Sequence, residues 1–164
     1  MKCFFALLTS LGIAGCQPKV ETKTPDLAAA KAEVTSLMEK YLIAYNSKDT
    51  TSLGIMFADD GLFCGTDPSE LLDKKAILKM MNQAFADTSD LWKYSVDKRE
   101  VRLTRDGNSA VVLEQLIMPV FAPKIPARLI YHVIRSGDAW IIDFASWNFI
   151  PYNEDIPKLN KALE

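Results

Sequence analysis

The stretch AWIIDFASWNF, residues 139–149, decides the fold because it completes a run of extended segments. Its β-branched and aromatic residues predict a strand whose two faces are both largely apolar. The turns RDGN and SGD and an APKIP loop at residues 122–126 separate the segments, and Asp-Gly tolerates the positive φ that tight hairpins need. The C-terminal half therefore predicts a meander of four strands, at residues 94–104 (bulged near Asp97), 109–120, 127–135 and 139–149.

Helical periodicity marks the chain before these strands. Apolar residues at spacings of three and four predict a helix of about 22 residues from Leu27, with Thr24 as its N-cap. Asp49 is the expected cap of a short second helix, a short strand follows at residues 62–64, and a third helix covers about residues 73–86. Helices followed by a meander predict an α+β fold, a curved antiparallel sheet with helices on one face.

The N-terminal segment, MKCFFALLTSLGIAGC, differs in kind from the rest of the chain. Lys2 precedes an apolar run that ends in small residues, which is the layout of a secretory signal peptide. The end of the run, Ile13-Ala14-Gly15-Cys16, resembles the lipobox of bacterial lipoproteins, in which the cysteine thiol takes a diacylglycerol. The resemblance implies a membrane-anchored lipoprotein of the bacterial cell envelope, with Cys16 as the lipid attachment site. An ordinary signal peptide or a buried apolar N-terminal segment is the alternative.

The predicted organisation has four parts. They are a signal peptide at residues 1–15, the lipidated cysteine with a flexible tether at 16–25, one folded domain at 26–152, and a tail at 153–164 with a short helix after Asp155.

Composition argues against several classes of function. The net charge is -2 and the basic residues form no block, which argues against nucleic acid as a partner. With Cys3 removed in the signal peptide and Cys16 lipidated, Cys64 is the only remaining thiol, so no internal disulfide is expected. The sequence has one histidine, and no metal site is expected. No glycine-rich phosphate loop is present, and no cofactor is expected.

Three stretches together resemble the SnoaL-like domain proteins of the nuclear transport factor 2-like superfamily. They are residues 46–70 (NSKDTTSLGIMFADDGLFCGTDPSE), 73–81 (DKKAILKMM) and 137–151 (GDAWIIDFASWNFIP), and the resemblance spans residues 27–151. It implies a cone-shaped curved sheet with three N-terminal helices on its concave face, a pocket inside the cone, and a homodimer formed through the outer face of the sheet.

The resemblance also implies which residues face the pocket. It puts Ser146 and Asn148 inside the cone and Trp147 and Phe149 outside, and strand alternation then adds further polar groups. The expected ligand-binding residues are Glu114, Arg128, His132, Ser146 and Asn148, with Tyr41 and Tyr45 from the first helix. The alternative for Tyr41 and Tyr45 is packing in the core without ligand contact. The purely structural alternative is that Glu114 and Arg128 form an ion pair across the strands and that His132 makes a hydrogen bond within a packed core. Thr66 and Asp67 either rim the pocket or serve only as turn residues.

Three functions follow as expectations. The first is a binding module whose pocket holds a small apolar or amphipathic molecule without catalysis. The second is an isomerase- or cyclase-like enzyme that uses acid–base chemistry around Glu114, His132 and Asp143, although alternation turns Asp143 outward unless the strand is bulged. The third is a protein-interaction domain whose pocket is filled by its own side chains, namely Trp140, Phe144 and the aromatic residues of the helices. Phe144 and Ser146 stand where the family often has histidine, which disfavours catalysis.

Overall fold

The computed structural model describes residues 25–87 and 89–164. The predicted signal peptide, Cys16 and the tether up to residue 24 lie outside the described residues. The helices are α1 (Leu27–Asn46), α2 (Thr50–Met56), α3 (Lys74–Phe85) and, after a 3-10 turn, α4 (Ile156–Ala162). The strands are β1 (Phe57–Cys64), β2 (Leu71–Leu72), β3 (Ser95–Leu103), β4 (Ser109–Met118), β5 (Ala122–Ser136) and β6 (Ala139–Phe149). The predicted α+β fold with N-terminal helices on a curved sheet is confirmed.

Aspartate side chains cap the first three helices. Asp49 accepts a hydrogen bond from the N–H of Ser52 at 3.0 Å, as predicted, and Asp73 accepts one from Ala76 at 2.7 Å. The cap of α1 is Asp26, which accepts from Ala29 at 2.9 Å, so the prediction of Thr24 as the cap is wrong. Its physical reason is that the helix begins at Leu27, and the residue just before it supplies the cap.

The six strands form one open sheet in the order β2-β1-β6-β5-β4-β3. The predicted antiparallel arrangement holds for four of the five strand pairs, and β1 pairs with β6 in parallel. The long chain between them lets β1 lie beside β6 in the same direction. The closing strand β6 is therefore an interior strand, flanked by β1 and β5.

Strand β5 begins earlier than predicted. The APKIP stretch at residues 122–126 is part of it, and Ala122 pairs with Met118 across a register shift. The prolines are tolerated because the partner β6 ends at Phe149, opposite Ala127, so this stretch has no β6 ladder to complete. The bulge predicted near Asp97 is confirmed by the register shift between Val96 and Lys98.

The core fills the space between the helices and the concave face of the sheet. Helix α1 contributes Val34, Met38 and Tyr41, all fully buried, and α3 contributes Ile77 and Met81. The sheet presents Phe57, Phe63, Val112, Leu116, Leu129, Tyr131, Val133 and Ile142 to them. Burial of each such side chain stabilises the fold by about 1.5–3 kcal/mol. Among the described residues, none of the helices has the length and apolar character needed to cross a bilayer.

Candidate functional site

A bulge at Asp143 determines which residues of β6 face the helices. His132 lies opposite Phe144 and Val133 opposite Ile142, so Asp143 is an extra residue without a partner on β5. The bulge reverses the alternation after it. Trp147 and Phe149 therefore face the concave side, whereas Ser146 and Asn148 face the convex side of the sheet, away from α1–α3. The opposite placement expected from the sequence is wrong for these four residues.

The register between β4 and β5 separates Glu114 from the rest of its predicted group. Glu114 lies opposite Leu129, and Gln115 lies opposite Arg128. Directly opposed residues share a face, so Glu114 is concave while Arg128 is convex. A one-residue difference in register moves every side chain of a strand to the other face, and alternation within β4 does not reveal it. The set Glu114, Arg128, His132, Ser146 and Asn148 therefore does not form one site.

Short contacts connect the convex polar residues. His132 Nδ1 lies 2.7 Å from Asp143 Oδ1, and both side chains are partly exposed. Arg128 donates to Gln115 at 3.4 Å rather than to Glu114, and Asn148 donates to Ser146 at 3.0 Å. Of the three catalytic candidates, the structure brings His132 and Asp143 together on the convex face and leaves Glu114 on the other side of the sheet.

Glu114 lies in the protein interior. Its side chain is fully buried, and Oε1 accepts a hydrogen bond from Arg99 Nε at 2.7 Å. Burial raises the pKa of the Glu114 carboxyl, and the Arg99 guanidinium partly opposes that rise. Arg99 was not predicted as a partner of Glu114. The bulge near Asp97 shifts the alternation of β3, so the face on which Arg99 lies is known only once the bulge has been located.

Three buried tyrosines lie near enough to Glu114 for its charge to influence their ionisation. The hydroxyls of Tyr41, Tyr94 and Tyr131 and the Oε2 atom of Glu114 make no hydrogen bond of ordinary geometry with the described residues. Burial raises the pKa of all three phenols well above the usual range, and each phenol lies near enough to another to influence its ionisation. The Tyr41 and Tyr131 rings pack edge to face with centroids 5.3 Å apart. The centre of the cone is thus packed with aromatic side chains.

Of the side chains expected to fill the pocket, the helix aromatic Tyr41 occupies the centre, whereas Trp140 and Phe144 lie elsewhere. Trp140 lies at the sheet end near α1, where its Nε1 donates to Glu33 at 2.8 Å. Phe144 lies on the convex face opposite His132. The Tyr41 ring packs against Tyr131 and Phe57 in the centre, with centroid distances of 5.3 Å and 6.1 Å.

An apolar cavity of about 180 Å³ lies to one side of this packed centre, between α3 and the ends of β4 and β6. Most of its walls are apolar side chains of α3, β4 and β6. The lining residues are Tyr45, Gly65, Thr66, Glu70, Met80, Met81, Ala84, Phe85, Trp92, Met118, Trp147 and Phe149. Burial raises the pKa of Tyr45 to about 12. Tyr45 and Thr66 were singled out from the sequence and line the cavity, whereas Tyr41 lies behind it; their roles in ligand binding stay predictions.

Several lining residues escaped the sequence reasoning for identifiable reasons. Trp147 and Phe149 were assigned outward because the bulge at Asp143 is not visible in the composition. Met80, Met81 and Phe85 lie on the apolar face of α3, which turns towards the cavity. Among the residues that the structure describes, no group of three histidine, cysteine or acidic side chains is placed to hold a metal ion.

Comparison with known proteins places this geometry among related chains. A family model described as SnoaL-like domain matches residues 34–143. An uncharacterised protein with a cystatin-like fold from Caulobacter vibrioides superposes with a TM-score of 0.66 at 16% identity, covering 80% of this chain and 99% of that one. A protein of unknown function from Pectobacterium atrosepticum gives a TM-score of 0.64 at 17% identity, covering 75% and 92%.

A nuclear transport factor 2-like protein of unknown function from Pseudomonas putida gives a TM-score of 0.62 at 15% identity, with coverage of 74% of this chain and 87% of that one. At these identities the shared feature is the fold. None of the curated proteins matches the chain.

Proposed function

The chain belongs to the SnoaL-like domain family, and on that premise we propose that it binds a small apolar or amphipathic ligand in the cavity beside Tyr45. The observation that carries the proposal is the apolar wall around a volume of about 180 Å³. A cavity of about 150 Å³ lined by apolar side chains stays dry and takes up benzene. The volume beside Tyr45 therefore suits a body of about one ring, smaller than the drug-sized ligands of most pockets.

Titration with benzyl alcohol tests the cavity as a binding site. We expect it to shift the methyl resonances of Met80 and Met81 in the purified protein, because both side chains line the cavity. Ala84→Leu extends a side chain into the same space and should weaken binding at least about tenfold, since overpacking excludes the ring. Ala86→Leu, just beyond the end of α3 and exposed, is the matched control. Absent shifts in the wild type, or equal binding by Ala84→Leu, would contradict the proposal.

The proposal includes a lipid anchor in the bacterial cell envelope. Its support is the sequence Ile13-Ala14-Gly15-Cys16 at the end of an apolar run. Two acyl chains give the stable membrane attachment that one chain does not. Cys16→Ser should move the protein from the membrane to the soluble fraction of lysed cells, while Cys3→Ser, within the same segment, should leave it membrane-bound. Retention of Cys16→Ser on membranes at the wild-type level would overturn the anchor.

A homodimer through the convex face is part of the same proposal. The support is the apolar side chains exposed on that face, among them Leu62 (47% exposed), Val111 (45%) and Ile117 (36%). The half-buried Leu113, Ile130 and Phe144 lie between them on the same face, and a contiguous exposed apolar face is typical of an interaction surface.

Acid–base catalysis is a second candidate, and Glu114 is the observation that favours it. A buried carboxyl with a raised pKa and three phenols are groups that proton abstraction next to a carbonyl uses. None of these four groups lines the cavity, so a ketone reaches them only when the packed centre opens. The test is exchange of the α-protons of cyclohexanone in D2O. An enzyme of this type should accelerate the exchange, and Glu114→Gln should abolish the acceleration. Exchange at the rate of buffer alone would contradict catalysis and favour the binding function. If benzyl alcohol also fails to bind, the protein-interaction domain is the remaining function.

A further inference from the structure

The apolar cavity and a groove at the protein surface share part of their lining. The groove has a volume of about 380 Å³ and is open to solvent. Five residues line both spaces: Gly65, Thr66, Glu70, Trp147 and Phe149. The shared lining places one end of a ligand in the cavity next to the groove.

The charge in this groove is negative. Glu70 lines both the cavity and the groove, and Asp67 lines the groove. Within the described ranges, no lysine, arginine or histidine lines either space. Two basic residues lie beyond these linings: Arg128, opposite Asn148, donates to Gln115, and Lys124 lines a separate surface depression that also includes Phe149.

The backbone around Gly65 holds the Glu70 carboxylate at the mouth of the cavity. Glu70 Oε2 accepts a hydrogen bond from the N–H of Asp67 at 3.0 Å. The carboxylate lies where a Cβ on residue 65 would be, so the absence of a side chain on Gly65 makes this position possible. Asp67 accepts hydrogen bonds from Ser69, which lower the pKa of its carboxyl and keep it ionised at neutral pH.

We propose that the ligand is an amphipathic cation, with a ring-sized apolar body in the cavity and an ammonium group in the groove beside Glu70. The inference rests on the proposed binding function and adds the charge of the ligand to it. An anionic head would meet two carboxylates with no cation of the described chain between them. A neutral head group would leave the two carboxylates solvated by water, without a counter-charge from the ligand. The groove is open, so solvent screens the attraction and the preference is moderate rather than absolute.

Three probes with the same ring test the inference. They are benzylammonium, benzyl alcohol and benzoate, titrated at low salt and followed by the Met80 and Met81 methyl resonances. We expect benzylammonium to bind about fivefold more tightly than benzyl alcohol, the upper end for one partly exposed ion pair, and benzoate to bind most weakly. The preference for the cation should shrink in about 0.5 M NaCl, where exposed charges are screened.

Glu70→Gln locates the effect at the proposed contact. Glutamine keeps an oxygen that can accept the Asp67 N–H, so the loop is preserved while the charge is removed. The variant should lose most of the preference for benzylammonium over benzyl alcohol. Glu39→Gln, an exposed position on α1 outside both linings, changes the net charge equally and should keep the preference.

The outcomes separate this inference from the proposed function. Binding of benzyl alcohol without a preference for benzylammonium overturns the cationic ligand and leaves the binding function standing. An equal loss of preference in Glu39→Gln and Glu70→Gln also overturns it, because net charge would then explain the effect. Failure of all three probes to bind overturns both proposals.

Discussion

Glu114 is an acidic side chain placed where water does not reach it. One carboxylate oxygen pairs with Arg99, and the other faces the phenols of the packed centre without a hydrogen bond to the described residues. Because burial raises its pKa, the folded protein keeps the Glu114 proton to a higher pH than the unfolded chain does. Stability is therefore favoured below the carboxyl's unfolded range and is lost as the pH rises through the folded pKa.

Glu114→Gln should remove this loss. Glutamine retains an oxygen for Arg99 but carries no proton to release, so the variant gains stability relative to the wild type as the pH rises from about 4 to about 7. Each unit by which the pKa is raised corresponds to about 1.4 kcal/mol of unfolding free energy. Urea unfolding of both proteins across this range measures the difference, with Glu39→Gln as control. A difference that is constant with pH would show that burial does not perturb this carboxyl.

Gly65 is a second position where one atom matters. Gly65→Ala should destabilise the protein by about 0.5–1.5 kcal/mol, because the added methyl displaces the flexible Glu70 carboxylate from the Asp67 N–H. Glu70→Ala alone should cost a similar amount in a urea titration, and Gly65→Ala should add little to that cost in the double variant. Gly54→Ala is the control, since its Cβ would meet only the flexible end of Leu78 at 3.2 Å in a helix that alanine favours. Additive losses in the double variant would exclude displacement of the Glu70 carboxylate as the cause.

Single residues were predicted from the sequence where the local pattern carried the information. Tyr45 is one helical turn after Tyr41, and this spacing indicated a helix face directed at the interior; Tyr45 indeed lines the cavity. Nothing in the sequence DPSE indicates that Glu70 folds back over Gly65, because that contact depends on the turn conformation. The acidic mouth of the cavity was therefore not predictable from composition.

At the scale of elements, the bulge at Asp143 explains most of the difference between the predicted and observed site. The bounds of β6 follow from its composition and were predicted correctly, at residues 139–149. Which side its last residues face depends on one extra residue that composition does not reveal. The reversal moved Ser146 and Asn148 out of the cone and moved Trp147 and Phe149 in.

The caps of the helices were the more predictable feature, and α3 offers a test. Asp73→Ala should cost about 1 kcal/mol, because the N–H of Ala76 loses its acceptor at the start of the helix. Asp73→Asn keeps an accepting oxygen and should cost much less. Asp60→Ala, an exposed aspartate on β1, serves as the control in the same thermal unfolding measurement. Equal losses from Asp73→Ala and Asp73→Asn would contradict the cap.

At the scale of the whole molecule, the proposed dimer has a direct test. Val111→Lys places a charge on the convex face opposite His132, and the twofold symmetry of a dimer would bury two copies of it. We expect the variant to be monomeric by analytical ultracentrifugation at concentrations where the wild type is dimeric, with little change in thermal stability of the monomer. Ile55→Lys, on α2 and 75% exposed, should leave the association unchanged. A monomeric wild type at every concentration, or a dimeric Val111→Lys, would overturn this interface.

The position of β6 has a consequence for the order in which the molecule folds. It is the last strand in the chain but an interior one in the sheet, and its pairing of Ile142 with Phe57 closes a loop of about half the chain. Such distant contacts form slowly, because the entropy of loop closure is lost before the contacts form. A chain emerging from the ribosome cannot complete the sheet until residue 149 has been made, and β1 has no partner on that side until then. The nascent protein thus stays incompletely folded through most of its synthesis.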